Sequence, residues 1–364
     1  MLLYSFKFHQ VVLFYLLLSF NSSLYAQWKA GTWQDRADMP YVFSEMSGAL
    51  LGDKIVVGGG LGLSDVSTLM LTYQPNIDTW DSIPPMPVGL HHANMGAIGG
   101  ELYILGGCDH RQSRQGKAPW LGSKHSFVYN PLTNKWRSLV KPIPHSTAAA
   151  GVVSFENKLY VIGGTDTNGV VLGLVQEYDP VNNTWRERAP MPTKREHLGI
   201  AVLDSLIYVA VGRESGNSNK SIKTFEAYSP TSNTWYTLPD IPTARSGVSM
   251  VAANKKIYVL GGEWPGMFDL VEVYDPTTKQ WSPTSSMQRA RHGFAAVTYK
   301  DTIYALGRSR KPEAFFPTSI TPVLPKVKFS NLLFKKEGLF YNNQIIFNSM
   351  RRINGKKYSV PSKP

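Results

Sequence analysis

One pattern, Tyr-x-Pro-x4-Trp, occurs five times in this chain without a spacing error, and it decides most of what the chain can become. The copies are Tyr73-Pro75-Trp80, Tyr129-Pro131-Trp136, Tyr178-Pro180-Trp185, Tyr228-Pro230-Trp235 and Tyr274-Pro276-Trp281. The residue before each proline is Gln74, Asn130, Asp179, Ser229 or Asp275. A short polar side chain followed by Pro is type I turn chemistry: the ring presets φ, and the side chain accepts from the backbone two residues on. β-branched and aromatic runs flank each copy. Each is therefore expected to be a β-hairpin with one large aromatic on each strand.

A second signal precedes each copy. An apolar run ends in paired glycines at Gly59-Gly60, Gly106-Gly107, Gly163-Gly164 and Gly261-Gly262. Two copies are degenerate, with Val211 before Gly212 and Arg308 after Gly307. Successive Trp residues at 33, 80, 136, 185, 235 and 281 lie 47, 56, 49, 50 and 46 apart. A period near 50 residues with four short strands per unit describes a radial array of sheets. A double glycine followed by a spaced Tyr and Trp resembles the kelch repeat, over roughly residues 28–310. The fold this implies is all-β, a kelch β-propeller.

Five repeats are complete and two fragments remain. Trp33 with Met39-Pro40 reads as an outer strand lacking the rest of its sheet, whereas Gly293–Val297 and Thr302–Leu306 read as two inner strands lacking a Tyr-x-Pro-x4-Trp. Joining them gives six blades, closed by an N-terminal outer strand, which removes exposed edges. The third strand of that blade falls to Glu313–Ser319, which Pro317 interrupts.

Ahead of the repeats, Lys7 precedes an apolar run from Val11 to Phe20, and a small residue, Ala26, sits before a natural cut. This reads as a secretory signal peptide over residues 1–26. The protein is expected to be exported, secreted or periplasmic, with the propeller over residues 27–325 and no membrane span. Its one cysteine, Cys108, excludes an internal disulfide. Residues 309–364 carry 11 basic and 2 acidic side chains, +9 of the chain's +12. The propeller is thus nearly neutral, so a nucleic-acid partner is not expected. Residues 326–364 read as a basic tail without period, poorly ordered and dispensable.

In such a blade the loops from second to third strand and from one blade to the next emerge on the same face, where binding residues tend to sit. These loops carry Arg195, His197, Arg213, Arg245, Arg291, His292 and Arg308. Guanidinium forks converging on one rim suit carboxylates and sugar acids, so the expected ligand is a protein or anionic glycan and the expected state a monomer. The kelch resemblance also implies that some of these arginines only bond a neighbouring blade. Galactose-oxidase-like enzymes, which are similar in architecture, use copper. No Tyr lies on the corresponding loops of the fourth to sixth blades, and no His-x-His or Cys-x-x-Cys occurs, so neither metal nor cofactor is expected. The exported six-bladed N-acetylneuraminate epimerases are similar in size and leader. That resemblance implies a sugar-acid mutarotase, with Glu214 or Glu263 as its base. The alternative, a non-catalytic binding propeller, is preferred because no local motif carries catalysis.

Overall fold

A computed structural model describes residues 32–62, 65–109 and 121–307. The leader, Arg308, the segment Glu313–Ser319 and the basic tail lie outside the described residues.

Every Tyr-x-Pro-x4-Trp copy is a hairpin, and its Tyr and Trp face each other directly across the ladder: Tyr73 and Trp80, Tyr129 and Trp136, Tyr178 and Trp185, Tyr228 and Trp235, Tyr274 and Trp281. Their ring centroids lie 4.8–5.3 Å apart. The turn works as its chemistry requires: the Asp179 side chain accepts from the Val181 and Asn182 N–H groups at 2.9 and 3.0 Å. Each buried Tyr hydroxyl needs a partner. In the first four copies a residue five positions on supplies it, Asp78, Asn134, Asn183 or Asn233, as Asn134 does for Tyr129 at 2.7 Å from a left-handed turn position with φ 55°.

The hairpins complete five four-stranded antiparallel sheets, each in simple sequential order. The innermost strands, Ser47–Leu51, Met95–Ile98, Gly151–Phe155, Gly199–Leu203 and Ser249–Ala253, neighbour one another in turn. A two-stranded sheet, Ala295–Tyr299 with Thr302–Leu306, sits between the last and the first of these. Five blades are therefore complete among the described residues, where six were expected. Among the described residues the sixth place is held by two strands, no sixth Tyr-x-Pro-x4-Trp follows them in the sequence, and Trp33 belongs to no strand.

Apolar residues of adjacent blades interleave. Ile162, Val175 and Met191 of the third blade pack with Ile207, Val209 and Tyr228 of the fourth. Each Trp then reaches back to the preceding blade with its indole N–H. Trp136 donates to Pro84 O at 2.8 Å, Trp185 to Lys141 O at 2.9 Å and Trp235 to Ala189 O at 2.9 Å. Trp33 makes the same kind of bond to Ser285 O at 2.9 Å and packs against Ile303 and Ala305.

The double glycine is explained by close approach. At Gly106, φ is 85°, and a Cβ would lie 2.2 Å from Thr147 O of the next blade. The degenerate copy keeps the conformation with Val211 at φ 53°, an uncommon setting for a β-branched residue.

Candidate functional site: the axial cluster

One position recurs in every unit, two residues after Phe43, Leu90, Thr147, Arg195, Arg245 and Arg291. In the six units it is Glu45, His92, Ala149, His197, Gly247 and Gly293, and all six have φ between 48° and 63°. Their backbones form a ring of hydrogen bonds. His92 N donates to Glu45 O, Ala149 N to His92 O, His197 N to Ala149 O, Gly247 N to His197 O and Gly293 N to Gly247 O, all at 2.9–3.1 Å. Met46 N to Gly293 O, at 3.3 Å, returns to the start.

The side chains of this ring meet. His92 Nε2 lies 3.1 Å from Glu45 Oε2 and 2.8 Å from His197 Nε2. The other Glu45 oxygen is 3.4 Å from His292 Nε2. His197 Nδ1 faces the Glu196 carboxylate, which also takes Arg213 Nε. Arg213 reaches on to Glu263 Oε1 at 2.8 Å, and Glu263 lies 3.9 Å from His292. His91 Nδ1 contacts His92 Nδ1 at 2.6 Å. His91, Glu196 and Arg213 are buried; Glu263 and His292 keep 24% and 17% of their side chains exposed, so solvent reaches the cluster on their side.

This geometry sets protonation. Burial alone would raise the Glu45 carboxyl, but His92 and His292 facing it hold it well below the carboxylate range. Burial, with the Arg213 guanidinium and His92 beside it, keeps His197 well below the ordinary imidazole value and thus neutral. Burial disfavours a charge on His292 too, yet its bond to Glu45 and the charge of Glu263 raise it.

Of the residues expected at a site, His197, Arg213, His292 and Glu263 come together here. Arg195 and Arg245 do not, and the expectation of a ligand-binding rim is corrected for both. Each is fully buried inside its own blade. Arg195 pairs with Glu226 and donates to Thr224 O at 2.9 Å. Arg245 pairs with Glu272 and donates to Gly261 O at 2.8 Å, Thr243 O at 3.0 Å and Val259 O at 3.1 Å. Desolvation draws Arg195 down to about 10, against the opposing charge of Glu226. Their backbone carbonyls do sit equivalently, accepting from Gly164 and Gly212, but their side chains turn into the blades rather than outward. Arg291 is half-buried and lines a groove of about 780 Å³ between residues 32–42 and Thr302–Gly307. Glu214 is exposed on its loop.

Sequence reading did not single out Glu45 or His92 as site residues. Together with His197 they form a three-residue group whose donor atoms all lie within 4.8 Å of one another, although no metal was expected. Their signal was positional: the same register in three repeats.

The model of the KLHDC2/KLHL20/DRC7 Kelch-repeats domain matches residues 91–307. The chain is 29% identical over 191 residues to Kelch-like protein terF of Aspergillus terreus, covering 49% of this chain and 41% of that protein. It is 31% identical over 179 residues to Kelch-like protein 35 of Mus musculus, covering 49% and 28%. The match thus spans less than half the length of these curated relatives. The solved structure of YjhT superposes with a TM-score of 0.65 at 16% identity, over 76% of this chain and 94% of that one, a likeness of fold alone. Among the described residues no helix is long and apolar enough to cross a membrane.

Proposed function

The chain belongs to the kelch-repeat family, and from that premise we propose that it is an exported, non-catalytic propeller that binds a protein on the face carrying its loops. The observation that carries this reading is Trp264. It sits in the loop between the second and third strands of the fifth blade, 47% exposed, beside Glu263 of the axial cluster. Its φ is 78°, a costly setting for an aromatic, and its N–H is tied to Gly266 O at 2.7 Å. A rigid loop that holds a Trp in water supplies the kind of anchor that dominates protein interfaces. Val170, 52% exposed in the corresponding loop of the third blade, adds apolar area on the same face.

With Arg195 and Arg245 sealed inside blades, an anionic glycan has less to hold it than the sequence suggested. One observation favours the mutarotase reading: Glu263 stands with His292 where solvent enters the cluster. The sixth place is read as a full blade, with the segment around Trp33 as its outer strand; the Trp33 indole bond to Ser285 O and its packing on Ile303 and Ala305 support this.

The test is a random-peptide display selection on protein secreted from its own leader, with a mature N-terminus at Gln27. Enriched peptides should lose at least tenfold in affinity on Trp264→Ala, about 1.4 kcal/mol or more, and nothing on Leu132→Ser at the opposite face. Peptides sensitive to Leu132 and indifferent to Trp264 would place the binding face wrongly. Acceleration of N-acetylneuraminate anomer exchange in NMR, abolished by Glu263→Gln, would establish the enzyme instead.

A further inference from the structure

We propose that Glu45, His92 and His197 bind one divalent transition cation, zinc being the best suited, on the propeller axis. The site is independent of the loop-face reading.

Three donors converge from three different blades. In a tetrahedral site with bonds of about 2.0–2.1 Å, ligand atoms lie about 3.3 Å apart. The His92 Nε2 to Glu45 Oε2 separation of 3.1 Å and the His92 Nε2 to His197 Nε2 separation of 2.8 Å fall short of that by about 0.2 and 0.5 Å, so the imidazoles open slightly to admit the ion. Two imidazole nitrogens facing each other at such a distance need an electrophile between them, either a proton or a metal. Two imidazoles and a carboxylate are the donor set of borderline divalent ions, zinc among them.

The surroundings orient these donors. His197 turns Nδ1 to the Glu196 carboxylate, and its Nε2 faces His92 Nε2 at 2.8 Å with Arg213 Nη2 alongside at 3.1 Å, a contact that a bound cation would displace. That carboxylate–imidazole arrangement fixes tautomer and ring direction at metal sites generally. His92 likewise has its Nδ1 engaged by His91, so its Nε2 is the nitrogen presented. His292 contacts the second Glu45 oxygen, which aims the first at His92. Charge agrees: Glu45, Glu196 and Glu263 are three carboxylates against the guanidinium of Arg213 and whatever proton His292 carries, a balance that a divalent cation offsets. Three protein ligands leave a fourth position for water.

The full chain, freed of metal by chelator, is titrated with Zn²⁺ alone in a calorimeter. One ion per chain should bind. Glu45→Gln and His92→Gln should each weaken it at least a hundredfold, and Glu196→Gln, which only positions His197, about 10–100-fold. His145→Gln, an exposed pair with Glu187 on the surface, should change nothing. Co²⁺ in the unsubstituted protein gives a readout that needs no variant: intense d–d absorption reports low coordination by nitrogen and oxygen, and a lack of thiolate bands excludes Cys108. Absence of binding, binding removed by His145→Gln and untouched by Glu45→Gln, or a weak octahedral Co²⁺ spectrum would each overturn the proposal and leave a proton between the two imidazoles.

Discussion

Arg245→Ala separates a blade staple from a ligand contact. Arg245 donates to three backbone carbonyls and to Glu272, whose carboxylate is 5% exposed and holds one further bond, from Thr243 Oγ1 at 3.2 Å. Removing the guanidinium leaves that carboxylate charged in a dry blade. Breaking a buried pair from one side costs about 3–5 kcal/mol. For a domain of this size each kcal/mol moves Tm by about 2–4 °C, so a fall of roughly 6–20 °C is expected. Urea unfolding of Arg245→Ala, Glu272→Met and the double variant Arg245→Ala/Glu272→Met gives the coupling directly. The double variant should be more stable than Arg245→Ala, because the stranded charge is gone; it should not regain the native value, since the Gly261, Thr243 and Val259 carbonyls still lack their donor. A loss below about 1 kcal/mol for Arg245→Ala, or strictly additive changes, would refute the staple assignment.

Two further outcomes follow from the same geometry. Trp33→Phe removes the indole bond to Ser285 O and should cost about 0.5–1.5 kcal/mol, matching Trp136→Phe in a complete blade; a cost at Trp136 with none at Trp33 would refute ring closure through the N-terminal segment. Cys108 is 1% exposed, and burial raises its thiol far above the ordinary value, with Asp109 adding to it. The thiol therefore stays protonated at pH 8: a disulfide reagent should label the chain in urea and not the native protein, and prompt stoichiometric labelling of native protein would show the buried setting to be wrong.

The hairpins were legible because their information is local. Proline, a short polar residue and a fixed interval to Trp specify a turn without reference to the rest of the chain. The arginines were not, because a side chain's direction depends on what stands across the blade. That partner was nonetheless written in the repeats. Where the position before the first strand is Arg195 or Arg245, the residue two before the motif's Tyr is Glu226 or Glu272. Where it is Leu90 or Phe43, that residue is Phe127 or Leu71, and the pair packs in an apolar cluster. Comparing repeats two positions at a time distinguishes a staple from a ligand residue; comparing one position at a time, as in reading a rim of arginines, does not. The blade count exceeded what the described residues hold because complementary fragments show that ends can meet, not that a third strand fills the gap between them.

The axial ring shows where packing ceases to explain the residues. All six positions adopt a left-handed backbone, which costs a residue with a side chain about 1–2 kcal/mol and glycine almost nothing. Glycine performs the structural task at Gly247 and Gly293, with the same hydrogen bonds as its counterparts. Nothing in the backbone ring therefore asks for Glu45, His92 or His197. At Gly293 the dependence runs the other way: a Cβ there would lie 2.5 Å from Cδ of Glu45, so the sixth position is bare where the first carries its carboxylate inward. Three residues in this setting carry coordinating side chains and face a position emptied to admit one of them, so their identity answers to the contacts the side chains make with one another, His92 with Glu45 and His197 above all, and not to the backbone ring.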